Sequence, residues 1–434
     1  MQSLRSARIR WSSNISYDKP TWTFLSTFTT EAHSHQGCDI HCLCYFAHWN
    51  SLGFLKDEVT KMLLQGAYSF PVKKISGVNR YDGVQLASNS PCEDRFIHGQ
   101  IPSPWNDGKS WMAWAIFDGH AGWQTADLLE KRLLPQVQQS RSQVKPATGQ
   151  KVGSEDMIQR AVTKAFMDLD SSIMDAAQQI TQSDLPLSET IPKMVPAYAG
   201  SCALLSLYDS VASKLHVACT GDSRAVLGQK NPDGTWEAVP LSVDQTGSNV
   251  DEIARINQEH PGEEGIAKDG RILGKMVSRA FDDGRWKWPL ELQKECEQKY
   301  CGPALRPGAR TPPYLTAEPV VTTTTAVDLV GKWLDFKSSG TVDDKPSPTY
   351  PSFDFSQFKM EDKFEEKRTT VQDDNAAVHL MRNSLGGNHH EMIACRLAVP
   401  APRSRDVRDD ITVQVAFFNC PETVWMSRSK LLLT

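Results

Sequence analysis

The chain has 434 residues, of which 40% are hydrophobic and 23% are charged, and its formal net charge is -5 at pH 7. This size and composition fit a globular protein with one large domain or two smaller ones, and the negative charge gives no general attraction for nucleic acid. No uninterrupted apolar stretch reaches the roughly 18 to 20 residues needed to cross a bilayer, and scattered cysteines without a secretory apolar segment favour reduced thiols.

The first seventeen residues, MQSLRSARIRWSSNISY, differ in composition from the rest of the chain. They contain Arg5, Arg8 and Arg10, several serines and no acidic residue. This composition is typical of a mitochondrial transit peptide, although an ordinary basic tail is an alternative. We therefore predict a mitochondrial protein of the matrix, with a transit peptide and a poorly ordered segment over residues 1–50.

A cysteine- and histidine-rich stretch, HSHQGCDIHCLCYFAH, follows at residues 33–48. Zinc binding is one interpretation, but the crowded spacing matches neither a zinc finger nor a zinc ribbon. The alternatives are a segment without fixed structure and a sequence artefact at the start of the gene. A single folded domain is predicted over residues 51–425.

The folded region mixes helices and strands. Apolar periodicity predicts helices over residues 123–137 and 155–180, and Ser154 is a suitable N-cap for the second. Apolar runs predict strands in WMAWAIF at 111–117, YAGSCALLSLYD at 198–209, KLHVACTGDSRAVLGQK at 214–230 with a turn at TGDS, and ITVQVAFF at 411–418. This order indicates an α+β domain with largely antiparallel sheets. Cys202 and Cys219 are interpreted as small core residues.

Five aspartates lie at turns next to these apolar runs: Asp94 in SPCEDRF, Asp118 in FDGH, Asp222 in TGDSR, Asp283 in SRAFDDG and Asp409 in VRDDITV. Oxygen ligands without His or Cys favour Mg²⁺ or Mn²⁺ over zinc. Two such ions can share a bridging water, lower its pKa and hold a phosphoryl group for in-line attack. His120, two residues after Asp118, is then placed to protonate the departing oxygen. Each aspartate alone is equally explained as a turn-capping residue.

Taken together and in order, six motifs resemble the metal-dependent protein serine/threonine phosphatases of type 2C. They are ED at Glu93 and Asp94, FDGHAG, CTGDSRAVLG, LSVDQTGSNVDEIARINQEHPGEE, GRILGKMVSRAF and RDDITVQVAFF. The resemblance runs from about Gly77 to Phe418. Within the family, NRYDGVQLASNSPCEDRF and DGRWKWPLELQ look most like the mitochondrial pyruvate dehydrogenase phosphatase branch, in agreement with the transit peptide.

The resemblance implies two packed antiparallel β-sheets flanked by helices, an αββα sandwich, with a centre for two Mn²⁺ or Mg²⁺ ions at one edge. It also implies roles for individual residues: Asp118 bridging the two ions, the Gly119 carbonyl contacting one of them, Asp409 as a terminal ligand, Asp94 acting through a bound water, His120 as the general acid, and Asp222 and Asp283 at positions associated with an additional, weaker metal.

The family's phosphate-gripping Arg, just upstream of the ED pair, has no counterpart in this chain. Asn89 stands roughly in its place, as in the pyruvate dehydrogenase phosphatase branch. Arg80 and Arg95 are possible substitutes, and the sequence does not choose between them.

Two departures from the family pattern matter more. The family carries a hydrophobic strand ending in DGxWD, whose first Asp is a direct metal ligand, but here TAEPVVTTTT at 316–325 runs straight into AVDLVGKWLDF. We interpret this join as the deletion of one central strand, through a skipped exon or a misplaced splice boundary. The second departure is Asp282, where the family has Gly in SRAFGD; its side chain adds charge beside Asp283 and strains the turn if that Gly used a positive φ.

Three interpretations of function remain at this point. The first is a metal-dependent phosphatase that hydrolyses phosphoserine and phosphothreonine on proteins through a metal-bridged hydroxide, with the pyruvate dehydrogenase complex as substrate. The second is a non-catalytic relative that binds a phosphoprotein, and the third is an incomplete gene product that does not fold stably. Retention of Asp94, Asp118, His120 and Asp409 favours the first, with a metal site left incomplete by the deletion.

Overall fold

A computed structural model describes residues 56–104, 108–144, 155–230, 236–325 and 369–418. The predicted transit peptide and the Cys/His-rich stretch lie outside these ranges. The chain divides into two compact units, which we call the terminal unit (Met1–Cys92, Val226–Val239 and Val327–Thr434) and the central unit (Glu93–Ala225 and Pro240–Ala326). No helix in the described ranges is long and apolar enough to span a membrane.

The helices and strands are numbered in chain order. The helices are α1 (Lys56–Leu64), α2 (Gln124–Gln143), α3 (Glu155–Thr181), α4 (Leu187–Tyr198), α5 (Val250–Glu259), α6 (Gly284–Lys287), α7 (Leu290–Lys299), α8 (Ala376–Leu385) and α9 (His390–Ala398). The strands are β1 (Tyr68–Pro71), β2 (Val78–Leu86), β3 (Arg95–Pro102), β4 (Ser110–Phe117), β5 (Gly119–His120), β6 (Gly200–Ser201), β7 (Ala203–Asp209), β8 (Lys214–Thr220), β9 (Val226–Lys230), β10 (Trp236–Pro240), β11 (Ala267–Lys268), β12 (Arg271–Ile272), β13 (Phe281–Asp282), β14 (Val320–Thr325) and β15 (Ile411–Phe418).

The central unit is built on a five-stranded antiparallel sheet with the order β14-β8-β7-β4-β3. Strand β4 pairs with β3 on one side and β7 on the other, so its backbone groups are satisfied along both edges. Its apolar residues, from Trp111 to Phe117, are all buried. The predicted strand at 111–117 is therefore confirmed.

Two long helices pack against this sheet. On α2 the buried residues Ala126, Leu129, Leu133 and Val137 recur every three or four positions, and they form one core with buried residues of α3, β4 and β7. This spacing gives a helix a single apolar face. Helix α2 continues past the predicted end at 137, through Pro135, to Gln143.

A second, smaller sheet of the central unit has the order β13-β6-β5. Its two-residue strand β6 lies in the middle, so that His120 and Asp282 both pair with Gly200. Residues that are 163 positions apart in sequence, His120 and Asp283, are thereby brought to the same place.

The terminal unit contains a three-stranded antiparallel sheet with the order β1-β2-β15. Helices α1, α8 and α9 bury their apolar residues in one core with β2 and β15. Asn375 caps α8 by accepting from the amide of Val378 at 3.0 Å, which satisfies a free donor of the first turn.

The α+β class and the antiparallel sheets with packed helices are confirmed. The interpretation of TGDS as a turn joining two paired strands is wrong, because β8 pairs with β7 and β14 whereas β9 pairs with β10 in a separate sheet. In the described part of the terminal unit, β15 has β2 as its only strand neighbour, and residues 326–368, after the suspected deletion, lie outside the described ranges.

Candidate active site

Asp118 is placed by the end of β4. It follows the last buried residue of that strand, and its carbonyl accepts a hydrogen bond from the amide of Cys202 at 2.9 Å. The next residue must be small, because a Cβ on Gly119 would lie 2.3 Å from the Glu93 carbonyl oxygen. The sequence FDG thus combines an apolar strand, a buried carboxylate and a close backbone approach.

Asp118 belongs to a buried cluster with Cys202 and Asp222. Each offers one ligand atom, and the three atoms lie within 4.8 Å of one another. The Cys202 thiol donates to Asp222 Oδ1 at 3.5 Å. Burial, together with the charge of Asp244, raises the pKa of Asp222 to about 6, which is the response expected of a carboxylate removed from water beside another.

Burial also raises the pKa of the Cys202 thiol well above its usual range, and Asp222 and Asp118 add to this effect. Negative charge in this cluster is therefore energetically unfavourable unless a cation neutralises it. A divalent ion among these atoms would lower that cost, and the donor set of two carboxylates and one sulfur fits such an ion.

His120 forms a second cluster with Asp283 and Lys275. His120 Nε2 lies 2.7 Å from Asp283 Oδ2, and Lys275 Nζ lies 3.2 Å from Asp283 Oδ1. Burial alone would raise the pKa of Asp283, but His120 and Lys275 outweigh it and hold the pKa well below its usual value. Asp283 is thus a carboxylate already shared by two nitrogen donors.

Gly200 makes room for this cluster. A Cβ at Gly200 would lie 2.2 Å from His120 Nε2 and 2.4 Å from Asp283 Oδ2. Strand β6 lies between β5 and β13. The His120 imidazole and the Asp283 carboxylate therefore meet beside the backbone of Gly200.

The remaining two predicted ligands lie in different units. Asp94 is buried in the central unit, directly before β3, and its carbonyl accepts from Arg95 Nη1 at 2.8 Å. Asp409 is in the terminal unit, directly before Asp410 and β15, where Arg405 Nη2 approaches its Oδ1 to 3.2 Å. The assignment of both as metal ligands stays a prediction.

The sequence comparison decides the family. The family model for protein phosphatase 2C matches residues 84–330, which is more than half of the chain. The chain belongs to the protein phosphatase 2C family. A protein phosphatase 2C homolog of Schizosaccharomyces pombe is 38% identical over 391 residues, with 84% of this chain and 85% of the relative covered. The predicted family and the prediction of a protein serine/threonine phosphatase are confirmed.

Two further comparisons describe the neighbourhood within the family. The mitochondrial pyruvate dehydrogenase (acetyl-transferring) phosphatase 1 of Saccharomyces cerevisiae is 35% identical over 402 residues, covering 80% of this chain and 70% of the relative. A solved serine-threonine phosphatase 2C from Toxoplasma gondii aligns with a TM-score of 0.41 at 15% identity, covering 81% of this chain and 99% of the other. The yeast relative confirms the predicted likeness to the pyruvate dehydrogenase phosphatase branch.

The two arginines considered as substitutes for the family's phosphate-gripping Arg both have partners inside their own unit. Arg80 holds the buried carboxylate of Asp82 with two nitrogen atoms, at 2.5 and 2.6 Å. Arg95 lies 3.6 Å from Asp127 and over the Trp123 ring. In the same region Asn89 binds Asp410 Oδ1 and Oδ2 through its amide and side chain.

Asp282, where phosphatase 2C relatives are expected to have Gly, is fully buried and has φ 57°. Its amide donates to Asp170 Oδ1 at 2.7 Å, and burial, together with Asp170, raises the pKa of its carboxyl well above the usual value. The expected positive φ is therefore present. Asp282 is not a member of the ligand cluster found among the described residues.

Sequence reasoning missed two residues of these clusters. Cys202 lies in an apolar run, which is typical of a core residue, and Lys275 lies inside GRILGKMVSRAF. No local signal points to Cys202, because its place beside Asp118 arises from the pairing of β5 with β6 across three intervening helices. No local signal pointed to Lys275.

Proposed function

We propose that this member of the protein phosphatase 2C family, when it carries the DGxWD segment, hydrolyses phosphoserine and phosphothreonine on the pyruvate dehydrogenase complex in mitochondria, with Mn²⁺ or Mg²⁺ as cofactor. The observation that carries the reaction class is the pair of neighbouring buried carboxylates, Asp118 after β4 and Asp222 after β8. The substrate rests on relatives named as mitochondrial pyruvate dehydrogenase phosphatases, including the human protein at 29% identity.

The metal-binding residues in this proposal are those carried over from the family: Asp118, the Gly119 carbonyl, Asp94, Asp409 and Asp222. Carboxylate and carbonyl oxygens are the donors that Mg²⁺ and Mn²⁺ prefer. When bound, such ions supply an activated water and charge neutralisation at the phosphoryl group.

His120 is the general acid in this proposal, donating a proton from its imidazole to the departing serine or threonine oxygen. Asp283 accepts from Nε2 of the imidazole, and because its pKa is held low, it remains a carboxylate that orients the ring. We therefore assign Asp283 as a positioning residue for His120 instead of a ligand of an additional metal.

The second candidate function is phosphoprotein binding without turnover, and the sequence feature that favours it is the absence of DGxWD. Loss of a residue that only hydrogen-bonds a metal ligand lowers metal affinity or activity by roughly 10- to 100-fold. Loss of a carboxylate that binds the metal directly should lower them at least as much.

The reaction and its substrate are tested with the full chain carrying a restored DGxWD segment after Thr325. We expect Mn²⁺-dependent phosphate release from the phosphorylated pyruvate dehydrogenase complex, faster than from an unrelated phosphoserine peptide. Asp118→Asn should abolish it, whereas Asp184→Asn, which changes an exposed carboxylate of the same unit, should not. Equal loss in both variants would contradict the assigned site, and equal rates on both substrates would contradict the assigned substrate.

Mitochondrial localisation is tested separately. The full chain fused to a fluorescent protein should enter mitochondria and lose its N-terminal segment, and replacement of Arg5, Arg8 and Arg10 by Gln should leave it outside. Transit peptides depend on their basic residues. Unchanged import of the Gln variant would contradict the transit-peptide assignment.

A further inference from the structure

We propose that Cys202 supplies a sulfur ligand to a divalent-cation site formed with Asp118 and Asp222, and that this site takes borderline cations such as Zn²⁺ or Co²⁺ in preference to Mg²⁺. The inference rests on the proposed function, because Asp118 is shared with the phosphatase site. The inference goes beyond the proposed function because it names a sulfur donor and the class of cation that this donor selects.

One backbone hydrogen bond and one side-chain contact place the sulfur of Cys202. Cys202 directly follows β6, and its amide donates to the Asp118 carbonyl at 2.9 Å. Its thiol reaches Asp222 Oδ1 at 3.5 Å. All three side chains are buried, so the thiol faces carboxylates in a place from which bulk water is excluded.

Gly221 shapes the space that the sulfur occupies. Its φ is +108°, and a Cβ at this position would lie 2.3 Å from Cys202 Sγ. The turn TGDS therefore leaves a recess for the sulfur on one side of Asp222. A larger residue at 221 would push the thiol out of the cluster.

The donor set determines which cations fit. Mg²⁺ takes oxygen ligands in a strict octahedron and avoids sulfur, whereas Zn²⁺ and Co²⁺ accept thiolate together with carboxylate. When such a cation binds, the Cys202 thiol releases its proton to solvent and the sulfur binds as thiolate. The cation would also engage Asp118, so its binding should compete with Mn²⁺ or Mg²⁺.

A neighbouring cysteine provides a matched control. Cys219, at the end of β8, is equally buried, but its thiol lies near the carbonyl oxygens of Gly221 and Ser223 and it is not a member of the cluster. Exchange of either sulfur for oxygen changes the side chain by a single atom, so Cys219→Ser separates general effects on the core from the loss of a ligand.

The experiment is a Co²⁺ titration of the full chain, followed by the near-ultraviolet absorption band that sulfur-to-cobalt charge transfer produces. Cys38, Cys42 and Cys44 are first replaced by Ser, because the Cys/His-rich stretch would give its own band. We expect the band in this background and in Cys219→Ser, and its loss in Cys202→Ser. Titration calorimetry with Zn²⁺ and with Mn²⁺ should show Zn²⁺ affinity at least about 10-fold lower in Cys202→Ser, with Mn²⁺ affinity unchanged.

Absence of the band in the background chain, or its persistence in Cys202→Ser, would overturn the proposal. If Cys202→Ser fails to fold by circular dichroism, Asp222→Asn takes its place, and an unchanged Co²⁺ titration in that variant would overturn it equally. The proposed catalysis is judged independently: a Cys202-dependent band in a restored chain that releases no phosphate upholds the sulfur ligand and contradicts the phosphatase assignment. Phosphate release without a band contradicts the sulfur ligand alone.

Discussion

At the scale of single residues, Asp282 is placed where both backbone geometry and burial disfavour an aspartate. Its φ of 57° lies in the left-handed region, which costs a residue with a Cβ about 1–2 kcal/mol. Among the described residues, neither of its carboxylate oxygens makes a hydrogen bond of normal geometry, although Thr125 lies close enough to favour the ionised form. A buried unsatisfied polar group costs about 1–3 kcal/mol. The backbone conformation and the burial of the carboxylate both lower the free energy of unfolding.

Asp282→Gly should therefore stabilise the protein, with a rise in the free energy of unfolding of about 2 kcal/mol from relief of strain and of desolvation. The measurement is equilibrium urea unfolding followed by circular dichroism. Asp269→Gly is the matched control, since Asp269 has φ 52° but is exposed, and it should gain only the backbone contribution. A loss of stability in Asp282→Gly would show that the buried carboxylate has a favourable partner.

A second residue-scale prediction concerns Gly200, which makes room for the contact of His120 with Asp283. Gly200→Ala should lower the phosphatase rate of the restored chain by about 100-fold, because a small misplacement of a reacting group has effects of that size. Gly265→Ala is the control: it introduces a Cβ at φ +78° with nothing within 4 Å, so it should cost stability without changing the rate. Equal rates in both variants would contradict the assigned role of the His120 and Asp283 pair.

At the scale of elements, α5 is held to the strand segment before β13 by a buried charge network. Glu252, in the first turn of α5, accepts hydrogen bonds from Arg279 at 2.7 Å, from Arg255 at 2.9 Å and from the Ser278 hydroxyl at 2.7 Å. Burial would raise the pKa of Glu252, but these donors outweigh it and lower the pKa from 4.5 to about 2. The folded state therefore stabilises the ionised form of Glu252.

The sign of the resulting pH dependence follows from this lowered pKa. The stabilisation from Glu252 is fully present above the unfolded value of 4.5 and is lost as the pH falls toward 2. We expect Glu252→Gln to lower the free energy of unfolding by about 2–3 kcal/mol at pH 7, with the difference from the parent chain shrinking between pH 4.5 and 2.

Urea unfolding at several pH values measures this difference. Glu259→Gln is the control: Glu259 also pairs with Arg255, at 2.8 Å, but it is largely exposed, so its loss should cost under about 1 kcal/mol at any pH. A constant difference for Glu252→Gln across the range would contradict the linkage.

The sequence predicted the elements that carry a strong local pattern. The apolar run before Asp118 and the run after Asp409 are both strands, and the three-to-four spacing of Leu129, Leu133 and Val137 is the buried face of α2. The two strands and the helix face are each specified by residues close to one another in the sequence. The positive φ of Asp282 was also predictable, because a Gly at that place in the family pattern indicates special backbone geometry.

Features that depend on distant pairing were not predictable. The contact of His120 with Asp283 arises because β5 and β13 flank β6, and no local pattern encodes that order. Strand β9 joins β10 instead of β8 for the same reason. Cys202 resembles any small apolar residue until the approach of Asp222 is known.

At the scale of the whole molecule, the join after Thr325 has consequences for stability as well as for the metal site. In the described part of the terminal unit, β15 pairs only with β2. Deletion of a strand from such a sheet would leave an edge that is a template for association. Because a domain's stability is about 5–15 kcal/mol, the deletion of a packed strand that we predict after Thr325 would remove a large share of it.

Restoring the DGxWD segment should therefore raise the thermal midpoint of unfolding and reduce association. We expect the chain as written to elute partly as aggregate in size-exclusion chromatography, and the restored chain to elute as one species. A segment of equal length and composition in scrambled order is the control. Identical elution and midpoint for all three chains would contradict the interpretation of the join as a deletion from the fold.

The central claim, that Asp118 and His120 act in a protein phosphatase site that the chain as written leaves incomplete, is tested by one comparison. Mn²⁺-dependent phosphate release from a phosphoserine peptide is measured for this chain and for the same chain with the DGxWD segment restored after Thr325. The account predicts turnover by the restored chain only, with loss of that turnover in Asp118→Ala. Turnover at a comparable rate by the chain as written, also lost in Asp118→Ala, would show that another residue completes the site and would contradict the account.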